Sequence, residues 1–267
     1  MKYLFYIVVV LVLLGLPYKI DIDRRILRSK KIKDTIRICV ISDLHCRRFG
    51  DKQSSIKKIV DAEKPDLIIM PGDLFDVDRD PNMVFYLFRA LEQYPLIYTL
   101  GNHEGYMGRD VDEHIQKARE MGVHVLENES MLFQKGDSQI EITGLRDIRS
   151  EMKPSPESIS GLFTSDNYRI LVSHRPHRVD VYRDVDCDLI ISGHSHGGQF
   201  RIPFTHKGLI GPNEKFFPEY TEGMHNLGKS VLYISRGMAT GLPGVPRLFN
   251  NPEIGFITLK GNDEEKD

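Results

Sequence analysis

Five short apolar runs, separated by more polar segments, dominate the pattern between residues 36 and 196. Runs of about 4–8 apolar residues, bounded by glycine, proline or small polar residues, are typical of strands that are buried on both faces. The runs occupy residues 36–41, 67–70, 96–100, 169–172 and 188–191. The pattern therefore predicts five buried strands spread over most of the chain.

The segments between these runs carry apolar residues at helical spacing. Residues 54–60, 81–94 and 110–121 predict amphipathic helices, with Pro81 at a first helical position and Gly122 after the last. Further short strands are predicted at residues 123–125, 131–133, 139–142, 231–234 and 255–259. Strands that alternate with helices in this way indicate an α/β domain.

The composition favours one ordinary soluble domain. The chain has 267 residues, of which 40% are hydrophobic and 28% charged, and its net charge of −2 gives no hint of a polyanionic partner. Its three cysteines, Cys39, Cys46 and Cys187, have no metal-binding spacing and argue against a disulfide framework. We expect a single catalytic domain at residues 36–260 and a disordered tail at 261–267.

The first 18 residues form a separate, almost wholly apolar segment. As a helix, residues 3–18 would span about 24 Å, which is short of the ~30 Å hydrocarbon core of a bilayer. No small-residue cleavage site follows, so an uncleaved anchor is favoured over a removed signal peptide. Residues 19–35 carry several basic residues and are predicted to be a linker, which can also contact anionic headgroups. This basic stretch predicts a membrane-associated protein whose catalytic domain is cytoplasmic.

Each of the five main strands is followed by residues that can bind a metal ion. The strand ends are Ser42-Asp43-Leu44-His45, Gly72-Asp73-Leu74-Phe75-Asp76, Gly101-Asn102-His103-Glu104, Ser173-His174 and Gly193-His194-Ser195-His196. Ligands of open α/β sheets bind at the carboxyl ends of the strands. Imidazole, carboxylate and amide oxygen together suit first-row divalent ions such as manganese, iron or zinc. The sequence therefore predicts a metal site in which Asp73 is shared by two ions.

These five blocks, in this order, resemble the calcineurin-like metallophosphoesterase superfamily. The resemblance covers roughly residues 36–260 and implies a four-layer αββα sandwich of two mixed sheets, with the N-terminal hydrophobic helix outside it. The Gly-His-Ser-His-Gly-Gly-Gln block at 193–199 and the closing Ser235-Arg236-Gly237, Pro243 and Pro252-Glu253-Ile254 are similar to a bacterial branch. Its members are membrane-attached enzymes resembling UDP-2,3-diacylglucosamine hydrolases.

The resemblance also implies which residues bind the metals. One ion would take Asp43, His45, Asp73 and His196. The other would take Asp73, Asn102, His174 and His194. His177 competes with His174 as the fourth block, but the apolar strand ends at His174, which is therefore preferred. Two divalent ions, with manganese favoured over iron or zinc, would acidify a bound water molecule to supply the nucleophile.

His103 directly follows a predicted ligand and is a poor candidate for the same ion. The resemblance places it towards the substrate, where it would protonate the leaving oxygen or hold the phosphoryl group as a cation. Asp76 has no ligand role in the resemblance. It either orients His103 or caps a turn, and the sequence leaves both alternatives open. Glu104 is interpreted as a turn residue.

The predicted function is hydrolysis of a phosphoester or pyrophosphate bond in a phosphorylated small molecule or lipid, such as UDP-2,3-diacylglucosamine. An aromatic-rich loop after His196 would either admit an acyl chain or pack as satellite core. It contains Phe200, Phe204, Phe216, Phe217 and Tyr220. A broad phosphodiesterase or nuclease is an alternative, but no nucleic-acid partner is expected because basic and aromatic residues are not interleaved. The other alternative function is that of a catalytically silent scaffold of the same fold. It is disfavoured because every block is intact.

Overall fold

The computed structural model describes residues 2–147, 154–203, 205, 207–211, 216–239, 241–242 and 245–262. Phe204 and residues 263–267 of the predicted tail lie outside the described residues. The helices are α1 (Lys2–Gly15), α2 (Ser54–Glu63), α3 (Asn82–Ala90), α4 (Asn102–Tyr106), α5 (Asp110–Glu120), α6 (Pro156–Ser160) and α7 (Val179–Tyr182). The predicted helices at 54–60, 81–94 and 110–121 correspond to α2, α3 and α5.

The strands form two six-stranded sheets and one small two-stranded sheet. In the first half of the chain they are β1 (Asp21–Arg28), β2 (Ile36–Val40), β3 (Leu67–Pro71), β4 (Leu96–Thr99), β5 (His124–Leu126), β6 (Glu129–Lys135) and β7 (Ser138–Leu145). In the second half they are β8 (Tyr168–Ser173), β9 (Leu189–Ser192), β10 (Gly223–Asn226), β11 (Val231–Ile234), β12 (Gly241–Leu242), β13 (Val245–Pro246) and β14 (Glu253–Lys260).

Both large sheets are mixed, as predicted. The first has the order β1-β14-β2-β3-β4-β5, and β2, β3, β4 and β5 run parallel. The second has the order β10-β11-β9-β8-β7-β6, with β7, β8, β9 and β11 parallel. The antiparallel pairs are β14 with β2, β10 with β11, and β6 with β7. The carboxyl ends of the parallel strands therefore form one edge in each sheet.

The two sheets pack face to face because alternate side chains of each strand point to opposite sides. Ile38 and Val40 of β2 enter a core that also contains Ile170 and Val172 of β8. Cys39, between them, enters a second core with α2, α3 and α5. A third core packs α6 and α7 on the outer face of the second sheet. Strands buried on both faces explain the continuous apolar runs in the sequence.

Part of the segment 19–35, predicted to be a linker, is in fact a strand of the first sheet, β1. β1 pairs in parallel with β14 over its full length, from Asp21 opposite Glu253 to Arg28 opposite Lys260. Two of its arginines are engaged in ion pairs, Arg24 with Glu63 and Arg25 with Asp23. The linker prediction failed because an edge strand with one solvated face needs no continuous apolar run. These basic residues therefore hold the sheet edge together.

The N-terminal helix forms, as the apolar segment predicts, but it ends at Gly15 rather than at residue 18. Pro17 follows two residues later and cannot continue a helix. Its side chains include exposed Tyr3, Phe5 and Leu14, and Gly15 accepts a hydrogen bond from the backbone of Phe249. At about 1.5 Å per residue, its 14 residues give a short helix. In the part of the chain that the structure describes, no helix is long and apolar enough to cross a membrane.

Candidate metal centre

The predicted ligands come together where the two sheets meet. Asp43 and His45 follow β2, Asp73 follows β3, and Asn102 follows β4 in the first sheet. His174 follows β8, and His194 and His196 follow β9 in the second. All seven side chains belong to buried residues. Residues from distant parts of the sequence are therefore brought into one polar region between the sheets.

One group of donor atoms is formed by Asp73, His174 and His194. Nε2 of His174 lies 3.0 Å from Oδ2 of Asp73 and 3.1 Å from Nδ1 of His194. Nδ1 of His174 lies 2.7 Å from the carbonyl oxygen of Pro71 and donates to it. This hydrogen bond turns Nε2 towards the carboxylate and fixes the imidazole, as outer hydrogen bonds do for metal-binding histidines.

A second group is formed by Asp43, His45 and His196. Nε2 of His196 lies 3.3 Å from Oδ1 of Asp43 and 3.3 Å from Nε2 of His45. His45 also approaches Asp73, with Nε2 3.9 Å from Oδ2. Asp73, a member of the first group, therefore also approaches the second group, and its role as a shared carboxylate stays a prediction.

Two buried oxygens in this region have no hydrogen-bond partner within the described residues: Oδ2 of Asp43 and Oδ1 of Asn102. Buried acceptors without a partner are rare because they lose the hydrogen bonds that water provides. Both atoms are hard oxygen donors among imidazole nitrogens, a donor set that suits first-row divalent ions. The residues present therefore fit a metal centre with two adjacent ions.

The pKa shifts agree with this donor set. Burial raises the pKa of Asp73, but the charge and hydrogen bond of His174 outweigh burial and hold it well below its ordinary value. Burial likewise raises the pKa of Asp43, and the hydrogen bond and charge of His196 outweigh it and lower that pKa overall. Burial, followed by the charge of His174, lowers the pKa of His194 well below its usual value. Ionised carboxylates and a neutral His194 are in the protonation states that bind metal ions. His174 differs: burial lowers its pKa, but the charge and hydrogen bond of Asp73 outweigh burial and raise it to about 10, so His174 must lose a proton when it binds a metal ion.

The backbone at the predicted ligands adopts an uncommon conformation. Five of the seven have a positive φ angle in the left-handed region, between 48° and 68°. They are Asp43, His45, Asp73, His194 and His196. Such conformations are costly for residues other than glycine and concentrate at functional sites. The tight turns after the strands therefore carry strain that the surrounding structure supports.

Two glycines make room for the carboxylates. A Cβ atom at Gly101 would overlap with Oδ1 of Asp73, and one at Gly237 would overlap with Oδ2 of Asp43. Gly237 is held in turn by Arg247, whose buried guanidinium donates to the carbonyl oxygens of Gly237 and Arg236. Burial lowers the pKa of Arg247 to about 9. The closing segment of the chain thus packs directly behind Asp43.

Asp76 contacts two histidines, which decides between the alternatives that the sequence left open. Its Oδ1 lies 2.8 Å from Nδ1 of His103, and its Oδ2 lies 3.3 Å from Nδ1 of His45. In both imidazoles Nδ1 is therefore engaged and Nε2 is directed away from Asp76. Burial lowers the pKa of His103, but its hydrogen bond to the Asp76 carboxylate and the charge of Asp73 raise it above its ordinary value overall.

His177, the competitor of His174, belongs to none of the donor groups found in the described residues. Its ring centroid lies 5.9 Å from that of His194. His174 is fully buried and contacts both Asp73 and His194. The structure therefore supports the choice of His174, whose role as a ligand stays a prediction.

Glu104 is central to the site, although sequence analysis interprets it as a turn residue. It is fully buried. Its two oxygens accept hydrogen bonds from the backbone N–H groups of Asp73, Leu74, Phe75 and Gly101 and from the hydroxyl of Tyr98. Its place at the third position of α4, after Gly101, was the available signal, because an acidic residue there binds free N–H groups. Glu104 thus holds the turn that presents Asp73.

We expect Glu104→Ala to destabilise the protein by more than about 3 kcal/mol, because several buried N–H groups lose their partner at about 1–3 kcal/mol each. The free energy of unfolding in urea, measured in metal-free buffer, checks this. Glu92→Ala is the control. It breaks a surface ion pair with Arg89 and should change stability by about 0.5 kcal/mol at most. A loss below about 1 kcal/mol at Glu104 would contradict the role assigned to this carboxylate.

The fold and the donor groups together define a metal-binding hydrolase of the metallophosphoesterase class. The family model described as calcineurin-like phosphoesterase matches residues 36–198. The chain therefore belongs to the calcineurin-like phosphoesterase family, whose members depend on two metal ions. This confirms the superfamily that the five sequence blocks resemble.

Two bacterial relatives match most of the chain. It is 30% identical to the phosphodiesterase YaeI of Escherichia coli over 234 residues, which cover 84% of this chain and 82% of YaeI. It is 28% identical to the uncharacterized metallophosphoesterase YkuE of Bacillus subtilis over 258 residues, 92% of this chain and 88% of YkuE. Both matches are longer than the segment that the family model covers.

Solved structures agree with the fold. The protein TT1561 of Thermus thermophilus matches with a TM-score of 0.55 and 12% identity, over 78% of this chain and 92% of that one. A 5'-nucleotidase precursor from the same organism matches with a TM-score of 0.52 and 15% identity. That match covers 76% of this chain but only 49% of the nucleotidase. At identities this low, the matches show only the fold, an α/β domain with two mixed sheets.

Proposed function

We propose that this protein is a two-metal phosphoesterase that hydrolyses a phosphoester or pyrophosphate bond. The observation that carries the proposal is that Asp73, a member of one buried donor group, also approaches His45 of the other buried donor group. The first ion would be held by Asp43, His45, Asp73 and His196. The second would be held by Asp73, Asn102, His174 and His194. Manganese is the favoured ion, since the donor set mixes carboxylate, amide and imidazole.

Two divalent ions, when bound, would acidify a water molecule to supply the nucleophile and would stabilise the charge of the phosphoryl group. The side chains of this protein supply the remaining parts of the reaction. Nδ1 of His103 is hydrogen-bonded to Asp76, so its Nε2 is the atom that can donate a proton to the leaving oxygen. The raised pKa of His103 keeps that proton in place to higher pH, as a general acid requires.

The proposal is tested with purified protein loaded with manganese. Metal analysis should give about two ions per chain, and bis(4-nitrophenyl) phosphate should be hydrolysed faster than in buffer with manganese alone. A panel of a phosphomonoester, a nucleotide sugar, UDP-2,3-diacylglucosamine and single-stranded DNA then ranks the substrate classes. Two bound ions without turnover of any panel member would favour the catalytically silent scaffold.

We further propose that the physiological substrate is a lipid-linked or nucleotide-sugar phosphoester, such as UDP-2,3-diacylglucosamine, that the enzyme meets at the cytoplasmic face of a membrane. Two exposed apolar features support the proposal. Helix α1 presents apolar side chains to solvent, and Phe216 and Phe217 are 69% and 62% exposed. Exposed apolar patches mark interaction sites more often than they mark ordinary surface. A broad phosphodiesterase is the second candidate, because the relative YaeI is named a phosphodiesterase.

Deletion of residues 2–13 should leave the rate on bis(4-nitrophenyl) phosphate within about twofold but should reduce turnover of UDP-2,3-diacylglucosamine in vesicles at least about tenfold, because apolar contact area is lost. The deletion retains Gly15, which binds the backbone of Phe249, and β1, which belongs to the sheet. A longer deletion to residue 33 would remove β1 and unfold the sheet edge.

The double variant Phe216→Ser and Phe217→Ser should show the same selective loss on vesicles. Tyr86→Ser removes an exposed aromatic residue from α3 and serves as the matched control, with no effect on either substrate. Equal turnover of the vesicle substrate by the shortened and full-length proteins would contradict a membrane substrate. A soluble nucleotide sugar would then be the better assignment.

A further inference from the structure

A half-buried arginine lies beside the candidate metal centre and is not part of the predicted ligand set. Arg175 directly follows His174, the residue after the end of β8. Its Nε donates a hydrogen bond of 2.5 Å to Oδ2 of Asp147. The side chain of Arg175 is 20% exposed and that of Asp147 is 5% exposed, so the pair lies at the rim of the site and faces both protein and solvent.

Arg175 is held in place at both ends. Its carbonyl oxygen accepts a hydrogen bond of 2.6 Å from the hydroxyl of buried Tyr182. Its carboxylate partner, Asp147, donates its backbone N–H to the carbonyl oxygen of Leu100, just before the Gly101-Asn102 turn. The guanidinium is therefore anchored to the turns that follow β4 and β8, which also carry Asn102 and His174. A side chain fixed in this way loses little entropy when it binds a ligand.

The side chain of Arg175 starts beside the donor group formed by Asp73, His174 and His194, because Arg175 directly follows His174. Beside burial, the charge of Arg175 is among the causes that lower the pKa of His194. The charge of Asp73 is in turn among the causes that raise the pKa of Arg175. Tyr106, on α4, also interacts with Arg175, and the Tyr106 ring lies 5.5 Å from that of His103. Arg175 is therefore near the donor group of Asp73, His174 and His194, while Asp76 contacts His103 and also contacts His45 of the other donor group. A phosphoryl group bound between Arg175 and His103 would face both of these side chains.

The guanidinium retains hydrogen-bonding capacity. An arginine side chain has five N–H groups in a rigid fork that matches the oxygens of a phosphate. Within the described residues, the bond from Nε to Asp147 is the one hydrogen bond that the guanidinium makes. A pair whose task was only to join two loops would more commonly use the fork in a bidentate contact with the carboxylate. Here Nη1 and Nη2 are left for another acceptor.

We propose that Arg175, oriented by Asp147, forms an oxyanion subsite that binds a non-bridging oxygen of the phosphoryl group undergoing hydrolysis. This proposal rests on the proposed phosphoesterase function and adds a protein contact to that of the two metal ions. Arg175 would position the substrate and add positive charge where negative charge develops on the phosphoryl oxygens. Asp147 acts through Arg175 and is a positioning residue.

The test measures binding of inorganic phosphate to the manganese-loaded protein by calorimetry, together with hydrolysis of bis(4-nitrophenyl) phosphate. Arg175→Ala should weaken phosphate binding about 10–100-fold, the usual value of a hydrogen bond to a charged group, and should lower kcat/KM by a similar factor. Manganese content should stay at the wild-type value. Arg183→Ala, which removes an exposed arginine nearby in sequence, is the matched control and should change neither quantity.

Arg175→Lys tests the same proposal if Arg175→Ala fails to fold. It keeps the charge and the ion pair with Asp147 but loses the planar fork. We expect it to bind phosphate more weakly than wild type and to unfold at the same temperature. Asp147→Asn should weaken phosphate binding less than Arg175→Ala, since the guanidinium remains but is less well fixed.

Unchanged phosphate affinity in Arg175→Ala would overturn the subsite, and a fall in melting temperature with unchanged affinity would show that the pair is only structural. A loss confined to pyrophosphate substrates such as a nucleotide sugar, with bis(4-nitrophenyl) phosphate unaffected, would also overturn it. That result would place Arg175 at a neighbouring phosphate. If wild-type protein binds phosphate but hydrolyses nothing, the proposed function fails, while calorimetry still tests Arg175.

Discussion

Asp73→Asn is expected to deplete metal from both positions of the centre and to abolish phosphoesterase activity. Asp73 lies 3.0 Å from His174 and 3.9 Å from His45, which belong to different donor groups. Both approaches are to Oδ2 of Asp73. An amide oxygen carries no net charge, so it cannot hold two divalent ions as a carboxylate oxygen can. The NH₂ group of the asparagine would also point at an imidazole nitrogen or at the backbone N–H of His103, which now donates to Asp73. The loss should exceed the 10–100-fold that follows removal of an outer hydrogen-bond partner.

Metal content per chain, measured after dialysis, checks this expectation, with Asp43→Asn as the matched control. Asp43 belongs to one donor group, so its variant should lose about one ion of two. The melting temperature gives a second readout, because a ligand that binds only the folded state stabilises it. Wild type should gain stability on addition of manganese, and Asp73→Asn should gain little. Equal metal content in wild type and Asp73→Asn would rule out a shared carboxylate.

His103→Gln should retain both metal ions and lose about 10²–10⁴ in kcat, the usual contribution of general acid catalysis. His103 is the outer member of the cluster, with its side chain 32% exposed, and its Nδ1 is engaged by Asp76. The loss should be large for a substrate with a poor leaving group, such as dimethyl phosphate, which can release only methanol. It should be small for release of 4-nitrophenol, which needs no proton.

Asp76→Asn tests the orientation of His103 separately from the role of His103 as the general acid. It should reduce kcat less than His103→Gln does, because the amide oxygen of asparagine can still accept from Nδ1 of His103. Since Asp76 also contacts His45, some loss of metal affinity is expected in this variant alone. Loss of metal from His103→Gln, or a rate loss that does not depend on the leaving group, would show that His103 is not the acid.

The donor groups contain six of the seven predicted ligands, all but Asn102. Their convergence could be anticipated from local sequence for a physical reason. Strands buried on both faces give uninterrupted apolar runs, and tight turns after parallel strands put the next polar residues at one edge of the sheet. Asp43, Asp73 and His194 each stand within a few residues of the end of such a run. The pattern along the chain therefore marked the places where side chains enter the site, even though it said nothing about the distances between them.

Residues that act through the backbone or through another side chain were harder to find. Glu104 accepts its hydrogen bonds mainly from N–H groups, which nearly every residue type has, so no partner residue marks it in the sequence. Arg175 and Asp147 come from the ends of β8 and β7, and their contact depends on the register between those strands. β1 was missed because charged residues at an edge strand resemble a solvated linker. Tertiary pairing determines all of these features.

The pairing of β1 with β14 also shows that the folded domain begins before the segment that the family model matches. The family model begins at residue 36, whereas the sheet begins at Asp21. A chain cut at residue 36 would keep every predicted ligand but would expose one side of β14, whose apolar Ile254, Phe256 and Ile257 are buried in the intact protein. An open apolar edge strand is a template for pairing with other chains. We therefore expect a chain that begins at residue 36 to self-associate more readily than the intact protein.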